Sequence, residues 1–317
     1  MAHFIKIVLA SIVCLYCSNV FSQNDSINDS FISYEENIVT SLSIQQNSDT
    51  FYLSYKDDKE SLKATLTPNI ERKLNFNFTY KLIDFSLGYT PSFLKTGMEQ
   101  GKSQNFNIGF RFNHKKWSQS LTFINQKGFY MELDEIGTVY LPQFKSMKIG
   151  GTTSYVLNDK FSYKTIFNQN QWQKKSAGSF IPQFSFYYTS LKSREKTDEF
   201  DMNIYSITIS PSYYYNFVIN KNFMAGAGVN IGIGTNIINN SIDPLIEFST
   251  NIKMGYNTDS FFSFIGYNGT TFAFESKTDR FNNTFNSVKL EVGYRFNTPK
   301  KVKKVYDDAL DFIPIKL

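Results

Sequence analysis

The chain alternates. Leu74, Phe76, Phe78 and Tyr80 form an apolar face against Asn75, Asn77 and Thr79. The same two-residue period returns at Phe106, Ile108, Phe110 and Phe112, and again at Phe248, Ile252, Met254 and Tyr256. From Phe223 to Ile233, odd-numbered apolar residues alternate with Met224, Gly226, Gly228, Asn230, Gly232 and Gly234. Successive side chains of a strand point to opposite faces, so each run predicts an amphipathic strand. Most runs last about 8 to 14 residues, against the roughly 9 to 11 that a tilted strand needs to cross a bilayer.

Twelve strands are predicted: 74–80, 83–90, 104–113, 117–126, 147–157, 160–168, 180–190, 204–217, 222–235, 245–257, 260–270 and 286–296. Turn-forming residues mark tight connections at Asn113–Lys116, Leu157–Lys160, Asn220–Asn222 and Asn257–Ser260. Polar stretches 91–103, 127–146 and 271–285 read as long loops. Short turns on one side and long loops on the other are the asymmetry of outer-membrane barrels. The asymmetry fails where 169–179 and 191–203 are both long, which predicts a missed strand or a segment folded into the lumen. Short apolar pieces at 38–44, 51–55 and 62–67 raise the range to 12–14 strands. The expected fold is all-β: a transmembrane outer-membrane antiparallel β-barrel of about 12 strands. The expected organisation is a signal peptide at 1–22, an N-terminal segment at 23–73, the barrel at 74–296 and a tail at 297–317.

Composition fits this class. Aromatic residues make up 17% of the 317, with 32 Phe and 20 Tyr, while mean hydropathy is only −0.31. Alternating lipid-facing and lumen-facing residues produce that combination. Met1–Ser22 reads as a secretory signal: Lys6, then an apolar stretch from Ile7 to Tyr16, then Val20 and Ser22 before a cleavage site at Gln23. Cys14 and Cys17 both lie inside it, so the mature chain is expected to have no disulfide, thiolate metal site or cysteine nucleophile. The net charge of +5 is scattered and gives no case for nucleic acid.

The last predicted strand sets Val288, Leu290, Val292, Tyr294 and Phe296 against Lys289, Glu291, Gly293 and Arg295. Its aromatic end is similar to the signal read by barrel-assembly machinery, which is therefore an expected partner during biogenesis, alongside outer-membrane lipid. Glu291 stands where glycine is usual in that signal, and the chain runs on past Phe296. Lys300, Lys301, Lys303 and Lys304 in the tail are expected to face solvent or lipid headgroups.

One block stands apart from the alternation: Asn168, Gln169, Asn170, Gln171, Trp172, Gln173, Lys174, Lys175, Ser176, Ala177, Gly178, Ser179 and Phe180. It resembles the signature of domain-of-unknown-function family 4421, found in Bacteroidetes-type bacteria. Leu157–Tyr163, Tyr187–Ser190 and the glycine-rich strand 222–235 share the resemblance, which runs from about Ser33 to Phe296. The resemblance implies an exported, barrel-like protein and no reaction. The block itself reads either as a structural loop bonded to the lumen wall or as a ligand- or partner-contacting loop. Its one tryptophan beside clustered amides favours packing inside the barrel or at its rim, with a lysine near Glu247 or Glu291.

Candidate chemistry is sparse. Apart from His3 in the signal, His114 is the one histidine, in a predicted tight turn. A Ser–His nucleophile or a zinc site has little to build on. Acidic loop residues such as Asp134, Glu135, Asp198, Glu199 and Asp201 read as solvated. No catalytic, cofactor or metal residues are assigned. The predicted lumen face collects Asp84, Arg111, Lys164, Glu247, Lys253, Lys289, Glu291 and Arg295. Both signs together predict pairing across a narrow interior, because an unpaired buried charge is costly. The expected role is non-enzymatic, a narrow channel or a structural or binding barrel. The alternatives are a barrel enzyme acting on lipid or envelope polymer, and a soluble periplasmic β-protein.

The facing of the last strand is testable. Val292→Arg puts a charge on the lipid face and should destabilise the barrel by about 2–4 kcal/mol near the bilayer midplane. Thermal unfolding in lipid measures this, and an unchanged midpoint would reverse the assigned facing.

Overall fold

The computed structural model describes residues 29–56, 61–68, 72–94, 104–133, 137–167, 170–194, 199–238, 241–275 and 279–311. The signal-peptide expectation lies outside them. The short strand β1 (Phe31–Ser33) precedes β2 (Asn37–Lys56), β3 (Ser61–Pro68), β4 (Arg72–Tyr80), β5 (Ile83–Tyr89), β6 (Gln104–His114), β7 (Trp117–Leu133) and β8 (Gly137–Tyr155). A second short strand, β9 (Gln171–Gln173), precedes β10 (Ala177–Arg194), β11 (Glu199–Val218), β12 (Phe223–Ile238), β13 (Ser241–Asn257), β14 (Phe261–Glu275) and β15 (Asp279–Asn297). All pairings are antiparallel, and β15 pairs with β2 along its full 19 residues, so the sheet closes on itself.

The ring changes size along its axis. Near the tight turns, β2 pairs with β4 through Val39–Gln46, and β4, β5 and β6 lead to β7. Further up, β2 pairs instead with β3 through Phe51–Lys56, and β3 pairs directly with β7. Twelve strands therefore close the lower ring and ten close the upper one. The switch falls at Gly128, where the β7–β8 register shifts and φ is +86°, an angle that glycine adopts without strain.

The strands are longer than the sequence pattern predicts. β11 has 20 residues, and β8 and β15 have 19 each, about twice a membrane crossing. The reason is an inversion of the two faces. In the lower half of β2, Leu42 and Ile44 point outward, 59% and 47% exposed, while Ser41 and Ser43 are buried inside. In its upper half the inward residue is Phe51, 1% exposed, and the outward ones include Gln46 and Ser48. The lower half is built for lipid outside, the upper half for water outside. Most of the stretches predicted as loops at 127–146, 191–203 and 271–285 are thus strand, and the predicted N-terminal segment 23–73 holds β2 and β3 of the barrel. The predicted strand 160–168 is not a strand: it contains one helical turn, Lys164–Phe167, and belongs to an inward-folded segment.

The facing of the last strand agrees with its pattern. Val292, Tyr294 and Phe296 are 45–48% exposed on the outer face, and Arg295 is buried. Aromatic neighbours line the outer wall near the tight turns, as in Tyr294–Phe296 at 4.8 Å, Phe223–Tyr256 at 5.0 Å and Trp117–Tyr155 at 4.7 Å. Such girdles sit at membrane–water boundaries. The tail forms a helix, Lys300–Asp311, that docks beside this girdle. Tyr306 packs edge-on against Tyr80 at 5.2 Å, Lys81 bridges to Asp307 at 3.3 Å, and Lys303 bridges to Glu36 at 2.9 Å. Lys300, Lys301 and Lys304 remain exposed.

Inside the lower ring, large rings lie flat on glycines. Tyr214 faces Gly228, Phe264 faces Gly255 and Phe262 faces Gly293, each a direct cross-strand pair. A Cβ on any of these glycines would overlap the opposing ring. Gly228→Val should therefore destabilise by about 1–3 kcal/mol through overpacking, although valine is the better strand former. Thermal unfolding of the purified barrel checks this against Ile231→Val on the lipid face, where little change is expected.

Candidate functional site

The segment between β8 and β10 leaves the wall because its side chains satisfy one another rather than a ladder. Asn158 turns the chain: its side chain accepts from Lys160 N at 3.0 Å and donates to Gly178 O at 2.7 Å. The Ser162 hydroxyl accepts from Thr165 N at 3.2 Å and caps the helical turn. β9 then pairs with β1 of the N-terminal segment, Ile32 opposite Trp172. Together these pieces fill the lower mouth of the barrel.

Gln173 is the centre of this plug and is fully buried. Its amide donates towards Lys160 O at 2.7 Å, Lys175 O at 3.0 Å and Ser30 O at 3.2 Å. Its carbonyl accepts from Ser162 N at 2.8 Å and from Asn216 Nδ2 on the wall at 3.1 Å. Asn170 donates to Lys81 O in the β4–β5 turn at 3.0 Å. Trp172, 1% exposed, donates through Nε1 to Lys221 O at 3.1 Å and packs edge-on against Phe264 at 5.9 Å. Tyr163 meets Tyr214 at 5.4 Å, closing a second apolar cluster with Phe161, Ile166 and Ile181. The plug is bonded to the wall on several sides.

The predicted motif residues divide accordingly. Asn170, Gln171, Trp172 and Gln173 are buried in the plug, and Ala177, Gly178, Ser179 and Phe180 begin β10. Lys174, Lys175 and Ser176 are exposed. Asn168 and Gln169 lie outside the described residues. The expected lysine beside Glu247 or Glu291 is not one of this block: Lys175 reaches Asp29 instead, at 3.6 Å.

The predicted lumen charges occupy four settings. Lys164 belongs to the plug rather than the wall, and bridges to Glu35 at 2.5 Å, tying the plug to the N-terminal segment. Lys253 and Arg295 hold the plug from the wall. Lys253 donates to Ile166 O at 2.9 Å over the Phe264 ring; Arg295 stacks on Tyr34 at 3.9 Å and donates to Asn257 Oδ1 at 2.6 Å. Glu247, buried on β13, accepts from Thr208 at 2.7 Å and Ser210 at 3.0 Å. The remaining four line a polar chamber of about 220 Å³ beside the plug. There Lys289 and Glu291 pair at 2.8 Å, and Ser41 and Asn77 also donate to Glu291. Asp84 and Arg111 are cross-strand neighbours, and Arg111 stacks on Phe167 of the plug at 4.2 Å.

Above the chamber the lumen closes again. Lys148 reaches from β8 to Asn283 on β15 at 3.0 Å, and Asn283 donates to Asp49 at 2.7 Å. Phe51, Leu66, Phe129, Phe144, Leu191, Ile204 and Phe274 then form one apolar cluster across the upper ring. Neither this layer nor Tyr34, Glu35 and Asn216 was singled out in the sequence. The alternating Phe51 and Leu53 after Asn47 and Asp49 were the available signal for the layer. His114 ends β6 beside the turn Lys115–Lys116.

The family model described as "Domain of unknown function (DUF4421)" matches residues 23–296. No curated protein matches the chain. Among solved structures, the translocator domain of autotransporter NalP from Neisseria meningitidis is similar at 8% identity and a TM-score of 0.41, covering 93% of this chain and 96% of that one. The outer membrane protease OmpT from Escherichia coli is similar at 8% identity and a TM-score of 0.37, covering 85% and 100%. The Pseudomonas putida toluene transporter TodX is similar at 10% identity and a TM-score of 0.32, covering 83% and 90%. None of these likenesses is close enough to carry a role across.

Gln173→Leu keeps the volume but strips the plug's central amide, leaving buried partners unsatisfied at about 1–3 kcal/mol each. The plug should loosen while the barrel persists. Limited proteolysis in detergent should then cut after Lys174 or Lys175 markedly faster than in the parent, whereas Lys300→Ala should leave those cuts unchanged.

Proposed function

This chain belongs to the DUF4421 family, and from that footing we propose that it is a non-enzymatic outer-membrane barrel with a sealed lumen, a structural and binding protein rather than an open channel. The membrane reading is supported by ring closure, which pairs backbone groups between strands, and by the apolar lower belt with its aromatic girdle. One observation carries the sealed reading: Gln173 is fully buried at the centre of a plug bonded to wall, turn and N-terminal segment alike. The apolar layer above is a second seal in series. The lumen charges have structural partners in each setting, which supports a role in holding the interior together rather than in turnover.

Planar-bilayer recording tests this. The parent protein should insert without steady ion conductance. Replacing Ser162–Gln173 with an equal length of Gly and Ser should leave it closed, because the upper seal remains. The same replacement combined with Phe51→Ser and Phe129→Ser should produce discrete current steps. Steady conductance by the parent protein would refute the sealed lumen.

A further inference from the structure

The chamber beside the plug is built differently from the rest of the lumen. Elsewhere the side chains described above hold the plug or close the upper ring. Here the wall offers polar groups to the space itself. Ser86 and Thr122 line it, and neither hydroxyl makes a hydrogen bond among the described residues. The Ser43 hydroxyl only accepts, from Asn75 at 3.4 Å, so its own proton has no acceptor there. Asn107 accepts from Lys73 at 3.3 Å through its carbonyl, leaving its amide donor to the chamber.

Two of the chamber's lining charges neutralise each other directly. Glu291 is held by Lys289, and Asp84 stands opposite Arg111 in the β5–β6 register. A charged ligand would have to compete with the Lys289–Glu291 ion pair and with the stacking of Arg111 on Phe167. A neutral molecule rich in hydroxyls would not: it would meet amide donors, carbonyl and hydroxyl acceptors, and Phe167. Its hydroxyl groups match the unpaired wall hydroxyls one for one in kind, since each both donates and accepts. A small number of placed polar groups in a concave site is how small-molecule sites fix orientation.

We propose that this chamber is a binding site for a neutral, polyhydroxylated molecule of monosaccharide size. The proposal rests on the sealed-lumen reading, in which no continuous path crosses the barrel, while the chamber itself stays open to small solutes on one side. Ser86→Ala and Thr122→Val are the informative variants, because each removes a hydroxyl with no protein partner and so asks nothing of the fold. Thr250→Val, on the outer face, is the control.

Isothermal titration of the full mature chain, in a detergent without a sugar headgroup, supplies the readout. The panel is glucose, galactose and N-acetylglucosamine, with glucosamine and glucuronate as charged counterparts. At least one neutral sugar should bind saturably with a dissociation constant of about 1 mM or tighter. Each lining variant should weaken it by about threefold to tenfold, the worth of one hydrogen bond, while Thr250→Val leaves it unchanged. No saturable binding by any neutral sugar would overturn the proposal. So would stronger binding of the charged sugars, or lining variants that bind like the parent. Conductance by the parent would remove the sealed-lumen reading whatever the titration shows; absent binding in a non-conducting protein removes only the site.

Discussion

A backbone amide left unpaired in hydrocarbon costs several kcal/mol, with no water to take its place. The rest of this structure follows from meeting that demand. The first and last wall strands, β2 and β15, must find each other, and they do so over 19 residues, one of the longest pairings in the ring. Once the ring is closed, side-chain polarity is dictated by which solvent each height of wall meets. Lipid outside requires Leu42 and Ile44 outward; water outside, higher up, allows Phe51 to turn inward. The strand keeps its two-residue period throughout and only the sign of its polarity changes.

That change of sign explains what could be read from the sequence. Within the belt the apolar face was unmistakable, as at Val288–Phe296, and the count of twelve wall strands near the tight turns was legible. Two departures offset each other in that count: 160–168 alternates like a strand but belongs to the plug, while the pattern shows β2 only as pieces at 38–44 and 51–55. The pieces are one strand whose inner face runs from Ser41 and Ser43 through Asn47 and Asp49 to Phe51 and Leu53. A search for a continuous apolar face stops where the faces trade places. The plug was harder still. Gln173 is defined by carbonyls of Ser30, Lys160 and Lys175, brought together only by tertiary folding. What the sequence did carry was the excess of amides around a lone tryptophan, and those residues are the ones the plug buries.

Buried charge is treated in two ways. Lys253 and Arg295 give their charge to backbone carbonyls and ring faces, which lets the wall grip the plug without a carboxylate at every contact. Glu291 draws on Lys289, Ser41 and Asn77 together, and Glu247 on hydroxyls and amides. Compensation by several neutral donors limits the desolvation penalty that isolated buried ions incur. It also makes the interior specific: each group is positioned by residues from more than one strand.

The hairpin of β5 and β6, joined through β4, widens the lower ring by two strands relative to the upper one. At about 4.8 Å per strand, that is about 10 Å of extra circumference before tilt. The plug occupies this wider end, and Phe167 and Asn170 touch the added strands or their turn directly. A ten-strand tube of constant bore would have had space for side chains but little for a folded insert. Hairpin and plug are thus geometrically coupled, like a collar and its stopper. A relative that lost the hairpin would be expected to have lost the insert as well, leaving a slimmer cylinder filled by its own wall.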